Sequence, residues 1–248
     1  MRFSRLASVV LVACVGACGG APPSPGPLRT VRRAPLGPED APCLVVFLPG
    51  NGDTAEDYVA NGFVAELERA RVRADVVAAD ATRAYYASGA VERRVREDVL
   101  APARAQGYAQ LWLVGISMGG GGALRVAASA PELVDGVVVF APFMGSPGLF
   151  REVKAAGGPA AWSPSAERRA ERDPYVDAWH WAGHRAGTPL FVGWGSADPL
   201  ARFAEVLAED LPESHVVAGG GGHSWDVWDE LWRGFVTAGH LQRACGVR

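Results

Sequence analysis

Residues 111–127, LWLVGISMGGGGALRVA, constrain this chain more than any other stretch. An apolar run of strand type stops at Ser117, and glycine then fills four consecutive positions, 119–122. A helix-like pattern resumes over 123–130. Continuous apolar runs suit strands buried on both faces, and helices between such strands imply a parallel sheet.

The rest of the chain repeats that alternation. CLVVFLPG (43–50) is a short Val-rich strand ended by Pro-Gly. The segment after it is helical in pattern, with Asp53 and Glu56 spaced as a capping box. ADVVAAD (74–80) is the next strand, and GAVERRVREDVLAPARAQG (89–107) reads as a charged surface helix. GVVVF (136–140), PLFVGWG (189–195) and HVVAG (215–219) supply three further strands. A helix is expected over about 200–210, and an amphipathic helix from Ser224 closes the pattern. Residues 141–187 break the alternation. They hold Phe143, Met144, Phe150, Trp162, Trp179 and Trp181 among prolines, glycines and arginines, and are expected to form an inserted lid. Its aromatic residues suit either an apolar acyl or aryl group or packing onto the core. Arg151, Arg168, Arg169 and Arg172 fit a solvated helix face.

The break at Ser117 carries chemistry. Gly115-Ile116-Ser117-Met118-Gly119 fits G-x-S-x-G, in which the serine occupies a sharp strand-to-helix turn. Small residues are needed on both sides because strand and helix backbones pass closely there. The turn exposes the hydroxyl and aims the Met118 N–H toward a developing oxyanion, with the helix N-terminus adding positive potential. A serine hydroxyl is a weak nucleophile without a base. Of the five histidines, His223 is best placed, after the last strand and the glycines at 219–222. His215 begins that strand, His240 lies late in the last helix, and His180 and His184 fall in the lid. Asp198, just past the fifth strand, can orient the imidazole. Asp173 and Asp177 are alternatives, and Asp226 is too near His223 in sequence.

The order Ser117, Asp198, His223 resembles that of the α/β-hydrolase fold over roughly 41–241. Gly222-His223-Ser224-Trp225, with Trp228, is similar to the histidine segment of a bacterial esterase branch. The resemblance implies a minimal, mostly parallel sheet of about six strands, because a tether stands where the family's first two strands would lie. It implies acyl transfer to water through an acyl-enzyme, with no metal or organic cofactor. It places a second oxyanion donor in Pro49-Gly50-Asn51-Gly52-Asp53. Many relatives have His-Gly at its start where this chain has Pro-Gly, and alignment of the motif implies the N–H of Asn51 as donor or, alternatively, that of Gly52. A carboxylic ester is the expected substrate. A thioester or amide, acyl transfer, and a non-catalytic binding role on the same scaffold are the competing expectations.

The chain has 248 residues, 49% of them hydrophobic, enough for one sizeable core. A formal net charge of −3 gives no basic face for nucleic acid. Arg2 and Arg5 precede an apolar run over 6–17, a secretory-signal layout too short to span a bilayer comfortably. The run ends in boxes of lipoprotein type at Cys14 and Cys18. Cys18 is the favoured lipidation site, because processing at Cys14 leaves a very short apolar segment; an ordinary cleaved signal is the alternative. Residues 18–41, rich in Gly and Pro, are expected to be a flexible tether. An exported, envelope-anchored domain follows, touching membrane only through its lipid. Export also permits a disulfide between Cys43 and Cys245, which are otherwise two unpaired thiols.

Overall fold

The computed structural model describes residues 25–33 and 37–247. The expected signal segment (1–17) and both candidate lipidation sites, Cys14 and Cys18, lie outside them.

Seven strands form the sheet among the described residues: β1 (Thr30–Arg33), β2 (Cys43–Leu48), β3 (Ala74–Ala79), β4 (Gln110–Ile116), β5 (Gly136–Phe140), β6 (Leu190–Gly195) and β7 (Val216–Gly219). Their order is β1-β3-β2-β4-β5-β6-β7. All neighbours are parallel except β1, which runs antiparallel to β3 with Thr30 opposite Ala79. This is the α/β-hydrolase fold, with one strand more than expected.

The additional strand corrects the tether. Its four residues, TVRR, sit at a sheet edge in a Pro- and Arg-rich context that gives no alternating signal. Leu28 just before it is buried in the core, and Arg29 bonds Glu56 at 2.6 Å and Asp80 at 3.1 Å. Arginines on the strand keep that edge charged, which discourages pairing with another chain.

Helices cover both sheet faces. Between β2 and β3 lie α1 (Asp57–Ala60) and α2 (Phe63–Arg69). Between β3 and β4 lie α3 (Arg83–Ala87), α4 (Val91–Val95) and α5 (Ala101–Gln106), the last two joined by a π turn at Arg96–Leu100. Helix α6 (Met118–Ser129) follows β4. Residues 141–187 contain α7 (Pro147–Ala155), α8 (Ala166–Ala170) and α9 (Pro174–His184). Then come α10 (Ala201–Ala208), α11 (Trp225–Thr237) and α12 (His240–Cys245).

The pleat sends alternate residues to opposite sides. Leu44, Val46 and Leu48 face a mainly aliphatic layer with α4, α6, α9 and α10. Val45 and Phe47 face an aromatic layer with Tyr58, Phe63, Trp232 and Phe235. Within it the Phe63 and Trp232 rings stack 5.3 Å apart. Cys43, opening β2, is bonded to Cys245, closing α12, across 202 residues. A bridge over so long a loop typically contributes about 2–5 kcal/mol.

The inserted segment is largely built into the aliphatic layer. Trp162, Val176, Trp179 and Trp181 are buried there, and the Trp179 indole donates to Met144 O at 3.0 Å. Arg168 ties α8 to α7 through Glu152 at 2.6 Å. The segment therefore flanks the sheet and contributes one wall of the site, through Phe143 and Tyr175.

Candidate active site

Ser117 lies between β4 and α6 with φ 53° and ψ −117°, a conformation rarely adopted by a residue with a Cβ. Three backbone bonds fix it. Its N–H donates to Phe140 O at 2.9 Å, and its carbonyl accepts from Phe143 N–H at 2.9 Å and Gly121 N–H at 3.1 Å. Strain of this kind persists only where surrounding structure over-determines it.

Helix α6 begins at Met118, five residues before the expected start at 123, so all four glycines are helical. A Cβ at Gly115 would lie 2.2 Å from Gly119 O, and one at Gly119 would lie 2.0 Å from Leu48 O. These are the close passages of strand and helix that the motif requires. Gly121 and Gly122 have separate reasons. A Cβ on Gly121 would meet Phe143 O at 2.0 Å, and one on Gly122 would meet the Tyr86 hydroxyl at 2.1 Å. Tertiary approach overrides the low helix propensity of glycine here.

The loops after β6 and β7 bring the other two groups to Ser117. His223 Nε2 is 2.9 Å from Ser117 Oγ, and His223 Nδ1 is 2.8 Å from Asp198 Oδ2. An ionised carboxylate only accepts, so Nδ1 carries the proton and Nε2 is left to accept from the serine hydroxyl. In this arrangement an imidazole can take a proton from serine. The Asp198 side chain is fully buried, and its Oδ1 accepts from Leu200 N–H at 2.7 Å. The two loops are tied together: Ser196 N–H donates to Gly219 O at 2.9 Å and Ala197 N–H to Gly221 O at 2.8 Å. Trp228 packs edge-on to the His223 ring, with centroids 4.8 Å apart.

The other candidates are elsewhere. Asp173 caps α9 through Tyr175 N–H, and Asp177 is 3.8 Å from Arg169. His180 and His184 stack on each other, and His215 Nδ1 contacts Leu190 O at 3.0 Å.

Asn51 and Met118 line a cavity of about 610 Å³ that opens at Ser117. Neither backbone N–H has an acceptor among the described residues, which leaves both available to a ligand oxygen. Gly52 turns the loop with φ 95°. The expected capping box of Asp53 and Glu56 does not form. Thr54 takes that place, its N–H and Oγ1 both donating to Asp57 Oδ2. Asp53 instead accepts from the Trp225 indole at 3.3 Å, and burial pushes its carboxyl above the usual range. Asp53 is thereby diverted from capping to linking the Asn51 loop with the helix that follows His223.

Sequence reasoning missed Tyr86, Tyr175 and Arg125, which also line the cavity. The available signal was modest: a Tyr85-Tyr86 pair just past the C-terminal end of a strand, where ligand-contacting loops gather in open α/β sheets.

Residues 44–162 match the family model described as alpha/beta hydrolase fold. No curated protein matches the sequence. Among solved structures, Est1E from Butyrivibrio proteoclasticus is similar at TM-score 0.58 and 14% identity, over 85% of this chain and 93% of that one. FphF, a fluorophosphonate-binding serine hydrolase of Staphylococcus aureus, is similar at TM-score 0.57 and 15% identity, over 86% and 99%. An S-formylglutathione hydrolase from Agrobacterium tumefaciens is similar at 0.52 and 15%, over 86% and 90%. At such identities the likeness is one of fold.

Proposed function

We propose that this chain is a serine hydrolase that cleaves carboxylic esters, with Ser117 as nucleophile, His223 as general base and acid, and Asp198 as the group that orients and stabilises the imidazole. One observation carries this: the unbroken relay from Ser117 Oγ to His223 Nε2 at 2.9 Å and from His223 Nδ1 to Asp198 at 2.8 Å. A ferulic acid esterase and a fluorophosphonate-binding serine hydrolase among the neighbours of this fold support it.

In this mechanism His223 takes the Ser117 proton as Oγ attacks the carbonyl carbon. The oxyanion accepts from Met118 N–H and Asn51 N–H; losing one such donor typically costs about 3–4 kcal/mol in the transition state. His223 then protonates the departing alkoxide. Water, deprotonated by the same imidazole, attacks the acyl-enzyme and releases the acid. A thioester is the second reading, favoured by the S-formylglutathione hydrolases among the neighbours.

Fluorophosphonate labelling tests the assignment. Wild-type protein is expected to label, and Ser117→Ala to lose both labelling and more than about 10⁴-fold of ester turnover. Labelling that survives in Ser117→Ala overturns the nucleophile. A matched ester and thioester pair separates the two substrate classes.

For location, we propose export with lipid attached at Cys18, supported by the Arg2-Arg5 and 6–17 pattern. Incorporation of labelled palmitate that is lost in Cys18→Ser is expected. Incorporation unchanged in that variant points to Cys14, and none in wild type leaves a cleaved, lipid-free enzyme.

A further inference from the structure

The cavity at Ser117 has a largely apolar and aromatic wall that carries two arginines. Arg83 and Arg125 line it, and no acidic side chain does. The Arg125 side chain is only 4% exposed and sits on α6 two turns past Ser117. Its guanidinium lies 5.5 Å from the Tyr86 ring centroid and 5.2 Å from that of Tyr175. Glu92 pairs with it at 2.7 Å, and both residues also border a second cavity. Arg83, exposed at the first position of α3, has no carboxylate partner among the described residues.

Tyr86 adds a second, independent observation. Its hydroxyl is buried and has no hydrogen-bond partner among the described residues. Unpaired buried hydroxyls are costly and uncommon. Burial raises its pKa far above the ordinary phenol, so at neutral pH it stays a donor. The fold also keeps a glycine in mid-helix, Gly122, against this oxygen. A purely apolar acyl chain would leave that donor unsatisfied.

The cavity also has a direction. Neither His223 nor Asp198 lines it. A leaving group departs on the His223 side, because that imidazole protonates it. The cavity therefore receives the acyl portion. Ser117 and Tyr86 line the same cavity of about 610 Å³, which has room for a short acyl chain with a polar end.

On the serine-hydrolase reading given above, we infer that the enzyme selects esters whose acyl chain ends in a carboxylate. The carboxylate accepts from the Tyr86 hydroxyl and lies in the field of Arg83 and Arg125.

The test compares two substrates of matched length, mono-4-nitrophenyl adipate and 4-nitrophenyl hexanoate. Wild type is expected to show the higher kcat/KM for the adipate half-ester, with the preference shrinking as salt rises. Tyr86→Phe and Arg83→Ala should each lower the adipate-to-hexanoate ratio about tenfold, mainly through KM. Arg83→Lys should recover most of it. Using the ratio removes any general loss from misfolding, and a thermal melt checks each variant. Turnover of hexanoate with no preference for adipate overturns the inference and leaves the hydrolase reading standing. A preference unchanged in both Tyr86→Phe and Arg83→Ala also overturns it. No turnover of either ester overturns the hydrolase reading and the inference with it.

Discussion

Glycines at 119–122 follow the serine, and glycines at 219–222 precede the histidine. As strings the two runs are identical, yet their surroundings differ. In the first run a Cβ at Gly119, Gly121 or Gly122 would meet another atom within about 2 Å. In the second, Gly220 has nothing within 4 Å and Gly222 has only Ala197 O at 3.9 Å. The first run is part of α6 and packs against the end of β2, the Phe143 loop and Tyr86 of α3. The second is open at Gly220 and Gly222, and the carbonyls of Gly219 and Gly221 hold the Asp198 loop. Glycine composition therefore accompanies two different settings: close approach beneath the serine, and a backbone left open at two positions before the histidine.

Substitution by alanine separates these demands. Gly121→Ala should have the largest effect. The new methyl meets Phe143 O at 2.0 Å, a backbone atom that cannot rotate away, and Tyr175 Cε1 at 3.0 Å. Phe143 N–H also holds the Ser117 carbonyl, so a shift there reaches Ser117. A loss of about 3 kcal/mol is expected, at the top of the usual overpacking range and net of the helix-propensity gain. A melt should fall by roughly 6–12 °C. Fluorophosphonate labelling should slow with it. A melt within about 2 °C of wild type breaks the comparison at its strongest point.

Gly221→Ala comes next, and it tests whether any part of the second run is obligatory. Gly221 has φ 89°, and its Cβ would lie 2.5 Å from Val227 Cγ2. A left-handed residue with a Cβ costs about 1–3 kcal/mol. The expected loss is about 2 kcal/mol by denaturant titration, with kcat lowered more than KM is raised, because the Ala197–Gly221 bond positions Asp198 against His223.

Gly122→Ala should cost less, about 1 kcal/mol, because its obstacle is the end of a side chain, the Tyr86 hydroxyl. The double variant Gly122→Ala/Tyr86→Phe should be less destabilised than the sum of the two single changes, with a coupling of at least about 0.5 kcal/mol in a melt-based cycle. Strict additivity would mean that Tyr86 is not what keeps Gly122 small.

The same contrast marks the limits of the sequence. Ser117, Asp198 and His223 could be placed because each follows the end of an apolar strand, and such ends share one edge of a parallel sheet. Gly121 and Gly122 could not be explained, because their partners, Phe143 on a loop and Tyr86 on α3, come from distant parts of the chain. Arg125 gave no signal within an ordinary helix pattern; its meaning comes from Tyr86 and Tyr175 on either side. Strand β1 was missed because four residues with two arginines resemble a tether until β3 offers its free edge. Asp53 followed local capping rules in sequence, but in the fold Trp225, 172 positions away, takes its oxygen.

The smallest effect is expected at Gly220, and it is the sharpest test of the open half of the comparison. Nothing lies within 4 Å of its prospective Cβ, and its φ is outside the positive region that a side chain resists. Alanine there should restrict the unfolded chain more than it disturbs the folded one. Stability should be unchanged or raised by up to about 1 kcal/mol, with kcat/KM for 4-nitrophenyl hexanoate within about twofold of wild type. A loss greater than 1 kcal/mol would show that this stretch is packed as tightly as the one beneath Ser117. A fall in kcat with stability intact would instead mean that His223 needs the freedom of Gly220 to move between its partners during turnover. The second run would then serve the motion of His223, and only the first would serve the packing around Ser117.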